Sequence, residues 1–395
     1  MAVTLADVAA RARVSAATVS RVLSGNYPVA EGTRGRVLRA VEELAYVVNG
    51  PASALAAASS DLVGILVNDI ADPFFGIIAG AVQTELSGAA QGGEKLAVVC
   101  NTGGSPEREL TYLTLLQRQR AAAVVLTGSA SEDAAHARAL TATLARLADA
   151  GTRVVLCGRP TGAATAAETT GAVPGESQGA EEAREPGKAR GAGRTLGADE
   201  TRPRAPLTTL AAPAPLTTLA FDNRGGARQL TAHLIGLGHR RIGCVAGPAG
   251  RTTTGERLAG HRAALAAYGI ADAPRRTVHG AYDRASGYDA AAELLRREAG
   301  LTAIVAANDT AALGVCAAVR DRGLRIPEDV SVAGFDDLPF SVDATPALTT
   351  VRLPLQEAGA RAGRLAMGRA ERPPGGLATL HAELIVRAST SIPYH

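Results

Sequence analysis

Aromatic side chains are scarce in this chain, at 3% of 395 residues with only five phenylalanines, so any two that stand together are informative. Cysteine is almost as thin. Cys100, Cys157, Cys244 and Cys316 lie far apart, each inside an apolar or Gly/Ala run. That spacing matches no metal-ligand pattern, and the four thiols read as reduced core residues. No run reaches the roughly 18 apolar residues free of charge that a membrane helix needs. No charged-then-apolar leader opens the sequence, so a cytoplasmic protein with no membrane partner is expected. Charge of one sign is also missing: 41 Lys+Arg stand against 38 Asp+Glu, a net of +3, so the whole molecule is not a polycation. No glycine-rich phosphate loop follows the first apolar run, where the chain reads NDIADPFF after Val67. Without that loop or a metal-ligand cluster, an enzyme of the doubly wound class loses its usual signatures, and no cofactor or metal is expected. His233, His239, Arg240 and Arg241 in LIGLGHRR fit a helix end and loop before a strand better than a catalytic group.

What is present begins at the N-terminus. Residues 3–25, VTLADVAARARVSAATVSRVLSG, fit two short helices joined by a tight turn. Thr4 can cap the first helix with Asp7 as its capping-box partner, and Leu5, Val8 and Ala9 form its apolar face. Ser15 can cap the second, whose inward side is Val14, Val19 and Val22. Ala16, Ala17, Thr18, Ser20 and Arg21 then point outward near a helix N-terminus, a place that favours phosphate oxygens. Such a surface can enter a DNA major groove, as in helix-turn-helix docking. The pattern equally fits a plain amphipathic hairpin. A third helix over 33–48, with Val37, Leu38, Val41 and Leu44 at helical spacing, tips the balance. Within residues 1–60, Arg11, Arg13, Arg21, Arg34, Arg36 and Arg39 face four acids, an excess that a dimer would double.

The opening VTLADVA, the VSAATVSRVLSG helix, the EELAY end of helix three, and Asn49 with Ala52 and Leu55 resemble the LacI/GalR family of bacterial transcription regulators. The resemblance implies that residues 1–48 bind operator DNA through Leu5, Ser15, Ala16, Ala17, Thr18, Ser20, Arg21 and Tyr46. It implies that 49–60 is a hinge helix and linker, with Asn49, Ala52 and Leu55 at the DNA and Leu55 as a minor-groove wedge. Three features depart from the family pattern: Arg13 at a common turn-glycine position, Ser53 at a hinge arginine, and Gly32 with Gly35 early in helix three.

From Asp61 onward, short Val/Leu runs alternate with helical stretches, as in LVGILVN (62–68), KLAVVCN (95–101), AAAVVLTG (121–128) and TRVVLCG (152–158). The pattern resumes at RIGCVAG (241–247), TAIVAAN (302–308) and VSVAGFDD (330–337), which predicts doubly wound parallel sheets. The family implies a two-lobed sensor like the periplasmic binding proteins over 61–395. Lobe one is expected at about 61–158 and 354–380, lobe two at about 217–350 and 383–393. Between them, residues 161–206 hold only Val173 and Leu196 as large aliphatics, and an insertion without stable order is expected. APLTTL occurs at 205–210 and again at 214–219, a local duplication.

Ligands of doubly wound sheets bind at the carboxyl ends of strands. Asp72–Pro73–Phe74–Phe75, Arg257, Asn308–Asp309 and Asp336–Asp337 all fall at or near such ends. A planar donor, an amide and a carboxylate around aromatic rings suit sugar hydroxyls or a nucleobase. The resemblance places effector contacts at Phe74, Phe75, Arg257, Tyr282, Asn308 and Asp336. Framework readings stand beside these: Phe74 or Phe75 as core, Asn308 as a turn residue, Asp337 as a helix cap, and Arg257 with Asp336 as an ion pair. The chain is thus expected to be an effector-controlled repressor, a homodimer on a pseudo-palindromic operator, with a carbohydrate or nucleoside as effector.

Overall fold

The computed structural model describes residues 3–24, 28–46, 60–87, 95–159 and 216–393. Asn49, Ala52 and Leu55 of the expected hinge, and the whole 161–206 segment, lie outside these residues.

The N-terminal unit packs α1 (Leu5–Ala12), α2 (Ala16–Ser24) and α3 (Glu31–Glu43) around Val8, Ala9, Ala12, Val19, Val22, Val37 and Ala40. The expected capping box forms: Asp7 N donates to Thr4 Oγ1 at 3.3 Å and Thr4 N to Asp7 Oδ2 at 2.8 Å. Ser15 Oγ likewise accepts from Thr18 N at 3.2 Å at the start of α2. Helix α3 is shorter than the 33–48 expected, because Ala45 turns left-handed at φ 46°. Leu38 lies one residue past the buried Val37, off the inward face, and is 47% exposed.

Arg13 ends α1 in the left-handed region (φ 56°, ψ 49°), its N–H donating to the Ala10 and Ala9 carbonyls. A side chain costs about 1–2 kcal/mol there, partly offset in a glycine by the greater freedom of its unfolded chain. Arg13→Gly should therefore stabilise the helical unit by roughly 0.5–1 kcal/mol. Slower amide hydrogen exchange across α1 and α2 in the intact protein is the expected result; faster exchange would contradict it.

The first lobe is a six-stranded parallel sheet in the order β11-β5-β4-β3-β1-β2. Its strands are β1 (Leu62–Val67), β2 (Leu96–Asn101), β3 (Ala123–Thr127), β4 (Arg153–Cys157), β5 (Leu216–Phe221) and β11 (Leu377–Leu380). The helices α4 (Pro73–Ser87), α5 (Pro106–Arg118), α6 (Ala134–Asp149) and α11 (Leu355–Met367) accompany it. Every residue of β3 and β5 is buried, as a parallel sheet covered on both faces requires. Helix α11 lies close against α4 at Gly359, where an added Cβ would come within 2.5 Å of the Ile78 carbonyl.

The second lobe is a four-stranded parallel sheet, β7-β6-β8-β9. It comprises β6 (Ile242–Ala246), β7 (Thr277–His279), β8 (Ala303–Ala306) and β9 (Ser331–Ala333), with α7 (Asn223–Gly236), α8 (Thr252–Ala267), α9 (Arg284–Arg297) and α10 (Asp309–Asp321). An antiparallel pair, β10 (Thr350–Arg352) with β12 (Glu383–Ile385), lies where the chain passes between the two lobes. One apolar core runs through both lobes by way of Leu219, Phe221, Phe335 and Val351.

One expected boundary is wrong. Residues 216–221 belong to the first lobe, not the second: Val154 pairs with Leu216 and Thr218 with Leu377, so β5 sits between β4 and β11. The chain crosses only after Phe221. An apolar strand buried on both faces carries no periodicity that says which sheet it joins.

Candidate functional site

On the helical unit, Ala16, Ala17, Ser20 and Arg21 are exposed along one side of α2, while Val19 and Val22 face the core. Ser15 is also exposed and Thr18 is half-buried, the two hydroxyls sharing a 2.9 Å hydrogen bond. Leu5 and Tyr46 are half-buried and pack against the small core, so each offers only part of its side chain outward.

Between the lobes lies a cavity of about 480 Å³, and Phe74, Phe75, Arg257, Tyr282, Asn308 and Asp336 all line it. The aromatic side is built by α4 and β5. Phe74 meets Phe75 edge-on with ring centroids 5.0 Å apart, and meets Phe221 at 6.2 Å. Asp72 Oδ1 accepts from Phe74 N at 3.0 Å, and burial pushes the Asp72 carboxyl above its usual range.

The opposite side is organised by Arg257 of α8. Its Nη2 donates to Asp336 Oδ1 at 2.8 Å, its Nε to Asn223 Oδ1 at 3.0 Å, and its Nη1 to the Ala307 carbonyl. The guanidinium carbon lies 3.8 Å from the centre of the Phe335 ring. The ion pair anticipated as an alternative therefore exists, on the cavity wall. Asp336 has φ 105° and Asp337 φ 55°, strain of the kind that gathers at functional sites.

Asn308 caps α10, its Oδ1 accepting from Ala311 N at 2.9 Å while its Nδ2 donates to the Tyr282 carbonyl at 3.0 Å. The framework reading of Asn308 thus holds beside its place in the lining. The Tyr282 hydroxyl shares a 2.7 Å hydrogen bond with Thr254. Asp337 is not a helix cap. Its oxygens pair with Arg352 and Arg387, both at 2.7 Å, next to the β10–β12 crossing. His239 bridges Thr302 and the Ser391 carbonyl, and His233 meets Thr390, so both fasten the C-terminal segment.

Several lining residues escaped the sequence reading: Asn68, Asn223, Phe221, Arg251, Thr253 and Phe340. Asn68, Phe221 and Asn223 stand at the ends of β1 and β5, where the carboxyl-end rule could have found them. Arg251 lies in a loop with no pattern to mark it.

The helical unit matches the model for bacterial regulatory proteins of the lacI family over residues 4–49, and residues 231–390 match a periplasmic binding protein-like domain. The HTH-type transcriptional regulator GalS of Salmonella typhimurium is 32% identical over 366 residues, covering 92% of this chain and 89% of its own. The chain belongs to the LacI family. It is accordingly a helix-turn-helix transcription regulator with a two-lobed, periplasmic-binding-protein-like second domain. A solved CelR–cellobiose complex is 30% identical, with a TM-score of 0.60 over 98% of this chain and 99% of that one. A lac repressor dimer bound to operator and an anti-inducer is 25% identical, with a TM-score of 0.70 over 99% and 100%. Members of this family are regulators rather than enzymes. No helix among the described residues is long and apolar enough to cross a membrane.

Burial, reinforced by the charges of Asp309 and Asp72, pushes the Asp336 carboxyl up to about 7 despite Arg257. An unfolded aspartate titrates near 3.9, so the native state holds an extra proton between about pH 4 and 7. Stability from this group is full below that window and is lost as pH rises through it. The stability of wild type relative to Asp336→Asn should therefore fall as pH is raised from about 4 to 7, read from denaturant midpoints. A parallel pair of pH profiles would overturn the assignment.

Proposed function

We propose that this LacI-family regulator is a repressor whose operator affinity is set by a sugar or related metabolite bound between the two sensor lobes. The observation that carries this reading is the cavity itself. Aromatic rings on the first lobe face the Arg257–Asp336 pair on the second, the combination that suits the faces and hydroxyls of a sugar. The relatives support it: one solved neighbour holds cellobiose, and another is a dimer on operator DNA. A ligand touching both lobes can bias their arrangement by its differential affinity, and so the spacing of two DNA-binding units.

The protein acts in the cytoplasm, as a homodimer on a pseudo-palindrome, each α2 reading one half-site, and it catalyses no reaction. Ser15, Ala16, Ala17, Thr18, Ser20 and Arg21 face the major groove, with Leu5 and Tyr46 beside them and Asn49, Ala52 and Leu55 at the operator centre. Phe74, Phe75, Arg257, Tyr282, Asn308 and Asp336 hold the effector.

Footprinting on the DNA upstream of the protein's own gene should reveal two symmetric half-sites; one asymmetric site occupied by a single protomer would refute the reading. Arg21→Ala should weaken operator binding by about 1–3 kcal/mol, or roughly five- to 160-fold, in a gel-shift titration. Arg257→Ala should blunt release by effector, and a wild-type effector midpoint in that variant would remove Arg257 from the site.

A further inference from the structure

We infer that the end of the first lobe nearest the helix-turn-helix unit is an accessory phosphate-facing surface, which draws the operator duplex by charge without reading its sequence. The inference rests on DNA binding by α2 and is independent of what fills the cavity. All six strands of this lobe pair in parallel, so their N-terminal ends lie together at one end, with the cavity at the other. Ser60 stands just before β1 at that N-terminal end. Its N and its Oγ both donate to the Arg120 carbonyl at 3.0 Å. Only residues 47–59 separate Ser60 from Tyr46, so the DNA-binding unit is tethered beside Arg120.

The charge at this end is one-sided. Arg118, Arg120, Arg146, Arg153 and Arg372 are all exposed there, in the last turns of α5 and α6, at the start of β4, and in the connections into β3 and β11. Lys95 is met by Asp61 and Arg364 by Glu85, so those pairs cancel. Asp149 and Glu371 are the carboxylates left to face the five arginines among the described residues. At the cavity end of the same lobe the balance reverses: Asp69, Asp72, Glu107, Glu132 and Asp133 outnumber Arg108 and Arg138, while Glu109 is matched by Arg159. The excess therefore belongs to one face and not to the chain at large.

Helix stabilisation accounts for only part of it. Arg118 and Arg146 sit in last turns, where a cation also offsets the exposed carbonyls. Arg120, Arg153 and Arg372 lie outside the helices. Arg153 donates to the Ala366 carbonyl at 3.4 Å and Arg372 to the Leu216 carbonyl at 2.8 Å, contacts that fix each stem but cancel no charge. Arg120 stands at φ 52°, where glycine would avoid the cost of a side chain. Neither Arg118 nor Arg120 meets a carboxylate among the described residues. Fixed cations beside the tether of a DNA-binding unit suit a duplex, which carries one negative charge per about 1.7 Å. Their attraction reaches about 8–10 Å at moderate salt, and guanidinium–phosphate contacts carry no base information.

The experiment titrates the intact protein with a duplex bearing its footprinted operator and with a scrambled duplex of equal length, at several salt concentrations. Arg118→Gln with Arg120→Gln removes four charges from a dimer. The slope of log affinity against log salt should fall by about 2–4 on both duplexes. The deficit of this variant at about 50 mM salt should then shrink at least tenfold, roughly, by about 200 mM. Its preference for operator over scrambled DNA should stay within about twofold of wild type. Arg118→Lys with Arg120→Lys should keep the wild-type slope, since a point charge suffices. Arg275→Gln with Arg297→Gln, the same charge change at the N-terminal strand ends of the second lobe, should keep it too. A wild-type slope in the first variant overturns the inference and leaves the operator reading standing. A loss that is equal at every salt concentration, or confined to the operator, would mean that Arg120 only positions Ser60, and overturns it as well. An equal fall in slope in the second-lobe variant would assign the effect to net charge instead of this face. Should the wild type show no preference for its operator, the operator reading itself fails.

Discussion

The sensor's architecture depends on keeping the Arg257 guanidinium satisfied where water scarcely reaches it. A buried charge without partners costs several kcal/mol, so its neighbours are constrained. Arg257 meets Asn223 where the chain enters the second lobe, the Ala307 carbonyl at the end of β8, and Asp336 at the end of β9. Phe335 closes the remaining side. One side chain thereby gathers three strand or crossing ends into a common wall, and the cavity is the space that wall leaves against Phe74 and Phe75. Removing one partner from such a buried pair costs about 3–5 kcal/mol, far more than a surface pair contributes.

The adjacent residue carries the same order into the hinge. Asp336 faces the cavity, whereas Asp337 holds Arg352 and Arg387 beside the crossing strands. Asp309 reinforces the joint from beneath, accepting from Thr350 Oγ1 at 2.6 Å, Ser341 Oγ at 2.7 Å and Leu338 N at 2.8 Å. Burial raises its carboxyl to about 6, and the donors pull the other way. Two neighbouring carboxylates in left-handed backbone thus face opposite ways, one to a ligand and one to the strands that set the lobe angle.

What could be read in the sequence follows from what each pattern encodes. The capping box at Thr4–Asp7 and the inward valines of α2 are local signals, and both appear as expected. Arg257, Asn308 and Asp336 were findable because polar groups at strand ends converge in any doubly wound sheet, whereas Tyr282 came from the family resemblance alone. Partnership was less legible. Asp337 has the look of a helix cap, yet its charge is met by arginines 15 and 50 positions away in sequence. Arg251 joins the lining through a contact with Gly104, which no local window connects. The sheet that β5 enters is equally non-local. Its LTTLAF run is buried throughout, so only the pairing with Val154 and Leu377 assigns it.

The fastening between residues 130–132 and 250–252 bears on how strong a switch the cleft can make. Backbone hydrogen bonds join the lobes there, so a ligand acts on lobes that also touch outside the cavity. It must favour one lobe arrangement over the other. Moving such an equilibrium from 1:99 to 99:1 needs about 5.5 kcal/mol of differential binding. Hydrogen bonds contribute about 0.5–1.5 kcal/mol each, or about 1.5–3 kcal/mol when one partner is charged. A ligand confined to the Arg257–Asp336 wall makes those contacts whatever the lobe angle, and contributes little to the difference. One that also rests on Phe74 and Phe75 loses that half of its contacts when the lobes rotate apart. Leverage on the DNA-binding unit therefore comes from contacts that span the cleft, not from the tightness of either wall alone.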